Sequence, residues 1–397
     1  MRHYPEIEIR AIPFRTFKEY HLTINKSGVD KAFLTRIFAG LKKRKIKISK
    51  FAYLGNLKIL PKELKSANDY PTLAIGNSPR SDNPPENASI YINALGGDLK
   101  RFMYIKTDKK VLGTYFDCQN FEHLSLSGLC DAGSAIKSSF KDEAKNIYKK
   151  IDAVLSQNNF FPNNIFRFWN YLTDVSENYA SFNKIRDDYY IKRKIIRFPA
   201  ATGIEAGLLN GKRINVSLEA IKPKREKAVE IKIVKSQRQC EAWEYGPKFS
   251  RAVLVTFAKD NIKKLYVSGT SSVNWRGESI LKNKCGENIV YVMTCIEHLL
   301  NKNGMSFDNL VMSHIYFKSS AIYDKFRRIY TANAWDFPYN PVFVNICRDN
   351  FFFEMECIAA NKFDTIKIVP RVRTRGTMSN TRLLFTDSGN GPSCPAR

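Results

Sequence analysis

Between residues 264 and 360 the chain passes through a succession of patterns that leaves few folds open. KLYVSGT (264–270) is an apolar, β-favouring run closed by small residues, the signature of a strand entering a loop. CGENIVYVMTCIEHLLNKNG (285–304) then sets Ile289, Val292, Ile296 and Leu299 at helical spacing, with Gly304 placed to end the helix. LVMSHIYFK (310–318) reads as a strand, AIYDKFRRIYTAN (321–333) as a helix, and PVFVNIC and FFFEMECIAA as two further strands, the latter the last of the chain. Strand, helix, strand, helix, strand, strand buries two helices on one face of a mixed sheet. The other face is left for a ligand or another domain.

Within that order, VNICRDNFFFEMECIA (344–359) sets two acids in an apolar strand. Side chains alternate along a strand, so Glu354 and Glu356 share one face while Phe353 and Met355 share the other. Asp349 and Asn350 tolerate the backbone of a two-residue turn, and a hairpin there sets Cys347 opposite Phe352, on the face of the two glutamates. A thiol, a ring and two carboxylates on one face suit a site better than a core.

The remaining 260 or so residues are less ordered in pattern. Residues 1 to about 110 read as strands and loops, with NSPRSDNPPENAS (77–89) as a surface loop. A helix follows over 137–158, carried by Phe140, Ala144, Ile147, Ile151 and Val154. A second helix opens near 163–175, a third lies over 178–196, and FPAATGIEAG (198–207) is a loop of small residues. From about Val369 periodicity gives way to Arg, Ser, Gly and Pro, a composition that predicts disorder.

Composition sets the class of partner. The chain has 397 residues, 44% of them hydrophobic, enough for packed cores, and no apolar run long enough to span a bilayer. The acids near the N-terminus rule out the apolar stretch of a signal peptide, so a cytoplasmic location is expected. Eight cysteines without a CxxC pair and five histidines without HExxH argue against disulfides and against a zinc site. A net charge of +26 calls for a negative partner: nucleic acid, an acidic membrane or a small polyanion. LKKRKIKISK (41–50), IKRKIIR (191–197) and KPKREK (222–227) carry the case for nucleic acid, although lysines spread along the whole chain equally describe solvated faces.

Several short motifs recur in a particular order: FRFWNYLTDV (166–175), FNKIR (182–186), FPAATGIE (198–205), EYGPKFSRA (244–252), LYVSGTSSV (265–273), the helix at 285–303, HIYFK (314–318) and CRDNFFFEMECIA (347–359). In that order, over roughly residues 100–360, the chain resembles the chorismatase family. The resemblance implies an α/β (α+β) protein of mixed sheets with helices on one face. It also implies an N-terminal α/β domain over 1–205, a RidA/YjgF-like domain over 206–365 packed on it, and a tail over 366–397. Family members read SGTAS where this chain has SGTSS, so Ser271 stands in place of an alanine, and the following SVNWRGES is longer and lacks a histidine.

The resemblance further implies an enzyme acting on chorismate, a dicarboxylate with an enolpyruvyl ether, that needs neither cofactor nor metal. Cleaving an enol ether starts with protonation, which requires a carboxylic acid held neutral in an apolar setting. By position in the motif that acid is Glu354. Arg327, with Arg251 and Tyr245, is placed as a clamp for the substrate carboxylates, and Ser268, Gly269, Thr270 and Ser271 as substrate-binding loop. Cys347 coincides with a cysteine of the members that release 3-hydroxybenzoate, the product expected here; the alternatives are hydrolysis to 3,4-dihydroxycyclohexa-1,5-dienoate and a basic protein that binds nucleic acid. The expected partner is the small-molecule substrate alone, with no nucleic acid and no membrane, the chain acting as a monomer or small homo-oligomer.

Overall fold

The computed structural model describes residues 7–25, 31–60, 69–82, 84, 88–107, 110–131, 139–348 and 350–368. The first stretch contains β1 (Ile7–Pro13), β2 (Phe17–Ile24), α1 (Lys31–Lys43), β3 (Lys47–Gly55), β4 (Thr72–Gly76) and β5 (Ala88–Gly97). Next come β6 (Arg101–Thr107), β7 (Lys110–Asp117), β8 (Phe121–Leu129), α2 (Phe140–Gln157), β9 (Ile165–Leu172), α3 (Val175–Lys192), β10 (Ala200–Glu205), β11 (Gly207–Leu208) and β12 (Ile214–Pro223). The last stretch contains β13 (Val229–Val234), β14 (Ala252–Phe257), β15 (Ile262–Thr270), α4 (Cys285–Asn301), β16 (Leu310–Phe317), α5 (Ser320–Ala332), β17 (Asn340–Phe343), β18 (Asn345–Ile346), β19 (Phe353–Ala360) and β20 (Asp364–Ile368).

These strands form three mixed sheets, ordered β11-β4-β3-β5-β2-β1-β20, β18-β10-β9-β12-β8-β7-β6 and β13-β14-β15-β19-β16-β17. Each sheet carries helices on its outer face, as expected from the sequence. Phe33, Leu34, Ile37 and Leu41 of α1 pack over Phe51 and Ile92 of the first sheet. Phe140, Ala144, Ile147 and Ile151 of α2, with Phe182 and Tyr190 of α3, cover the second. Ile289, Val292 and Ile296 of α4, with Phe326 and Tyr330 of α5, cover Phe353 and Met355 of the third. The inner faces of all three sheets meet in one core. There Phe14 stacks on Phe17 at 4.4 Å between centroids and meets the Phe257 edge at 5.1 Å, while Phe121 lies 4.9 Å from Phe257. The first, third and second sheets are thus joined through rings, whose offset and edge contacts add to the burial term. Lys264 also reaches from β15 to Glu19 of β2 with bonds of 2.8 and 2.9 Å, a buried pair across the same junction.

Several elements differ from what the sequence suggests. The first hundred residues include a helix, α1. Where a helix is expected to open near 163–175 the chain forms a strand, β9: it lies mid-sheet and is buried along its whole length between helices and central core, so it shows no alternation. The small-residue stretch 198–207 holds β10, which runs parallel to β9 and gives that segment a ladder to join. No hairpin links β18 to β19, since β18 pairs with β10 of the second sheet and β19 with β15 and β16; Asp349 lies outside the described residues. Phe352 therefore packs on the helix side of the third sheet rather than beside Glu354.

The boundary expected at 205/206 falls inside the second sheet, because β12 inserts between β8 and β9. Residues 366–368 of the expected tail belong to β20, which pairs antiparallel with β1, and the rest of the tail lies outside the described residues. The three basic runs lie on separate elements. Lys50 turns into the core, where burial lowers its ammonium to about 8, while Lys222 and Lys224 are paired with Glu122 and Asp117. No helix among the described residues is long and apolar enough to cross a membrane.

Candidate functional site

A cleft of ≈ 660 Å³, its open mouth included, runs between the second and third sheets. One wall comes from β9, α3 and β10, and the other from the 245–251 loop, the end of β15, residues 347–351 and β19.

Glu354 sits in the deep part of the third-sheet wall. Its strand neighbours Phe353 and Met355 point into the apolar layer under α4 and α5, and strand alternation turns Glu354 the other way, toward the cleft. The side chain is 4% exposed. Its Oε2 accepts a hydrogen bond of 2.8 Å from the Ser271 hydroxyl. Oε1 lies against Gly269, at a place where the β15–β19 register breaks between Val267 and Thr270. A Cβ at 269 would collide with that oxygen, so the close approach needs glycine. Burial pushes the carboxyl up to about 7; the Ser271 bond opposes this, the charge of Glu356 adds to it, and Arg251 and Arg167 pull the other way. Near neutral pH the group is thus poised between acid and base.

Glu356, two residues on and facing the same way, is fully buried and fully partnered. Its Oε1 accepts from Trp169 Nε1 at 3.0 Å and from the Tyr316 hydroxyl at 2.8 Å, and its Oε2 accepts from Arg167 and Thr202. This carboxylate is a tie between the second and third sheets. It does not line the cleft.

Arg251 and Tyr245 line the cleft together. Arg251 is 2% exposed; its Nε donates to the Cys240 carbonyl at 2.8 Å and its Nη2 to the Tyr245 hydroxyl at 3.3 Å, which fixes the plane of the guanidinium. Cys347 stands half-buried on the same wall. Burial, and then the neighbouring charge of Glu354, pushes its thiol up to about 12, so it is a neutral S–H donor and not a thiolate nucleophile.

Three expected residues do not come to the cleft. On α5, Ile322, Phe326 and Tyr330 form the buried stripe, which turns Arg327 outward to an exposed position over the Tyr323 ring, 5.8 Å from its centroid. Of the SGTS loop only Gly269 and Ser271 line the cleft. The Ser268 hydroxyl donates to the Ser250 carbonyl and accepts the Ala201 N–H at 2.9 Å, and the Thr270 hydroxyl bonds the Ser268 carbonyl, so both serve the backbone.

Their place is taken by Arg186 and Arg348, with Tyr179 beside them. Arg186 is 3% exposed on α3; its Nη2 reaches Asp187 at 3.3 Å, and its buried Nε has no hydrogen-bond partner among the described residues. Arg348 donates from Nη1 to the Gly277 carbonyl at 2.9 Å and to the Ser279 hydroxyl at 3.0 Å. The signal for Arg186 was present in the sequence: it shares a helical stripe with Phe182, Tyr189 and Tyr190, so its position is buried and a charge there needs a reason. Three guanidinium groups around one neutral-capable acid form a site that can bind an anion with more than one negative group and protonate it.

Comparison with known proteins bears on the fold. The crystal structure of a chorismatase matches with a TM-score of 0.60 at 13% identity, over 88% of this chain and 99% of that one, which shows a common fold. Putative endoribonucleases from Entamoeba histolytica and Thermotoga maritima each match at 21% identity and a TM-score of 0.28, over 33% of this chain and 98% of theirs. No curated protein matches. The family model described as endoribonuclease L-PSP matches twice, over residues 123–222 and 249–361. These spans hold most of the second and third sheets, the two that wall the cleft, so the RidA/YjgF-like fold expected over 206–365 is present twice. With more than half of its length matched in this way, the chain belongs to the endoribonuclease L-PSP family.

Proposed function

We propose that this chain is a chorismatase, which converts chorismate to pyruvate and a hydroxylated ring acid in the cytoplasm, without a cofactor. The observation that carries the reading is Glu354: a carboxyl pushed up to about 7 by burial, facing a cleft with Arg186, Arg251 and Arg348 around it. The fold shared with a chorismatase supports it.

In this reading the arginines hold the two substrate carboxylates, and Arg251 keeps a fixed plane through Cys240 and Tyr245. Glu354 delivers its proton to the terminal carbon of the enolpyruvyl ether, leaving an oxocarbenium centre on the ether carbon and a carboxylate on the protein. The Ser271 hydroxyl, already bonded to Oε2, stabilises that carboxylate as it forms.

The product expected is 3-hydroxybenzoate. The neighbouring ring hydroxyl displaces the side chain oxygen, the strained ring intermediate opens and loses a ring proton, and Glu354 as carboxylate is the base at hand. No water is consumed, and the substrate is partitioned atom for atom into pyruvate and 3-hydroxybenzoate. Capture by water instead gives pyruvate and the dihydrodiol. Cys347, a neutral donor on the wall beside Glu354, is placed in this reading to steer the ring opening.

Incubation with chorismate should release pyruvate well above the spontaneous rate, with the ring product identified by chromatography against both standards. Glu354→Gln should stop release while chorismate still binds, because the amide keeps the shape and lacks the proton. A wild-type protein that releases no pyruvate removes the reading.

A further inference from the structure

The break in the third sheet at Ser268–Gly269 is held by one residue of the second sheet. A regular ladder would pair the Gly269 N–H with β19, but here it donates to the Thr202 hydroxyl at 3.0 Å. That hydroxyl also accepts from Arg167 Nη2 at 2.7 Å and donates to Glu356. The residue before it makes a parallel tie, Ala201 N–H to the Ser268 hydroxyl at 2.9 Å. Two consecutive residues of β10 thus anchor two consecutive residues of β15. Thr202 Cγ2 lies 3.1 Å from where a Gly269 Cβ would be, and on the same side the Glu354 Oε1 fills the remaining space.

We propose that Thr202 is a positioning residue for the acid of the site: its hydroxyl takes the Gly269 N–H and holds open the sheet break into which the Glu354 carboxyl fits. Engaging that N–H also withholds it from the carboxyl. An amide N–H free to turn toward Oε1 would be a donor to the ionised form, which holds a carboxyl ionised rather than protonated. Thr202 therefore keeps the acid both placed and able to carry a proton. The inference rests on the proposed reaction for its kinetic consequence and not for its structural one.

The titratable and charged groups that face the Glu354 carboxyl are Glu356 on its own strand, Tyr245 and Arg251 ahead of β14, Arg167 on β9, Tyr179 and Arg186 on α3, and Cys347 and Arg348 after β18. Thr202→Val keeps the volume, deletes the hydroxyl and leaves all of these in place. The test follows the Glu354 carboxyl directly, by its ¹³C resonance in protein labelled at the glutamate side chain and assigned by its loss in Glu354→Gln. In T202V the titration midpoint should fall by at least about half a pH unit, as the released Gly269 N–H becomes a donor, and Thr202→Ser should titrate as the wild type does. Under the proposed reaction, T202V should also lower kcat for pyruvate release by about tenfold, with KM within about twofold. An unmoved midpoint in T202V, or an equal shift in T202S, overturns the inference. Should T202V not fold, Thr202→Cys, with its weaker hydrogen bonds, carries the same test, and an unmoved midpoint there overturns it. A wild type that releases no pyruvate while the midpoint moves in T202V removes the proposed reaction and leaves the positioning role standing.

Discussion

Glu354→Gln, the change expected to end turnover, is also expected to stabilise the fold, and only above a definite pH. The carboxyl is raised from 4.5 in a free chain to about 7 in the fold, a difference worth about 3 kcal/mol. Below pH 4.5 the group is protonated both folded and unfolded, and it costs nothing. Between 4.5 and 7 the unfolded chain gives up its proton while the folded one keeps it, so this group lowers wild-type stability by about 1.4 kcal/mol per pH unit. Above 7 both states are ionised and the cost is complete. Glutamine does not titrate. The difference between the variant and the wild type should therefore be flat below pH 4.5, grow in favour of the variant by about 3 kcal/mol up to pH 7, and be flat again beyond it. With an unfolding entropy of about 2 cal/mol/K per residue, a chain of this size melting in one step shifts by about 4 °C for that difference. Melting curves of both proteins at pH 5, 6, 7 and 8 measure it without any substrate. A Tm difference that does not change with pH refutes the claim that burial holds this acid neutral, and the mechanism built on it fails too.

Two further outcomes follow from the same geometry. Ser271→Ala removes the hydrogen bond that lowers the Glu354 carboxyl, so its midpoint, and with it the alkaline limb of the rate profile, should move upward from about 7; a downward move contradicts the assignment. Arg186→Gln and Arg251→Gln should each weaken binding of a dicarboxylate by roughly tenfold or more, the worth of a charge-assisted hydrogen bond, while Arg327→Gln, exposed on α5, should stay within about twofold. A large KM effect at Arg327 in titrations of purified protein would return that residue to the site.

How much of the fold could be read from the sequence depended on exposure. α2, α4 and α5 each present one polar face to solvent, so their apolar stripes stand out at helical spacing and give their bounds to within a few residues. β9 has no solvent face, and an eight-residue run of buried side chains has no period to betray a strand. β10 reads as a loop because Ala200, Ala201 and Gly203 are small, and a strand buried at every position but Gly203 shows no alternation. Arg327 shows the opposite case: its match in position to the family's carboxylate-binding arginine suggests a role, whereas Ile322, Phe326 and Tyr330 fix which side of α5 faces the protein and leave it exposed.

Glu354 and Glu356 show where sequence reading stops and why. Alternation alone places both on one face and cannot separate them. What separates them is two strands lying 154 to 189 residues earlier in the chain. Arg167 and Trp169 on β9, with Thr202 on β10, reach across to Glu356 and, together with Tyr316, satisfy both its oxygens, as a buried acid requires. That same set gives Glu354 no hydrogen bond: Thr202 takes the Gly269 N–H beside it, and among the described residues only Ser271 bonds it. The charge on Glu356 then makes a second charge next to it harder to form. One glutamate is bonded into the seam, and by that fact its neighbour is left as the acid. The difference in function between two identical side chains thus belongs to the seam between two sheets, which no local pattern in FFFEMECIA encodes.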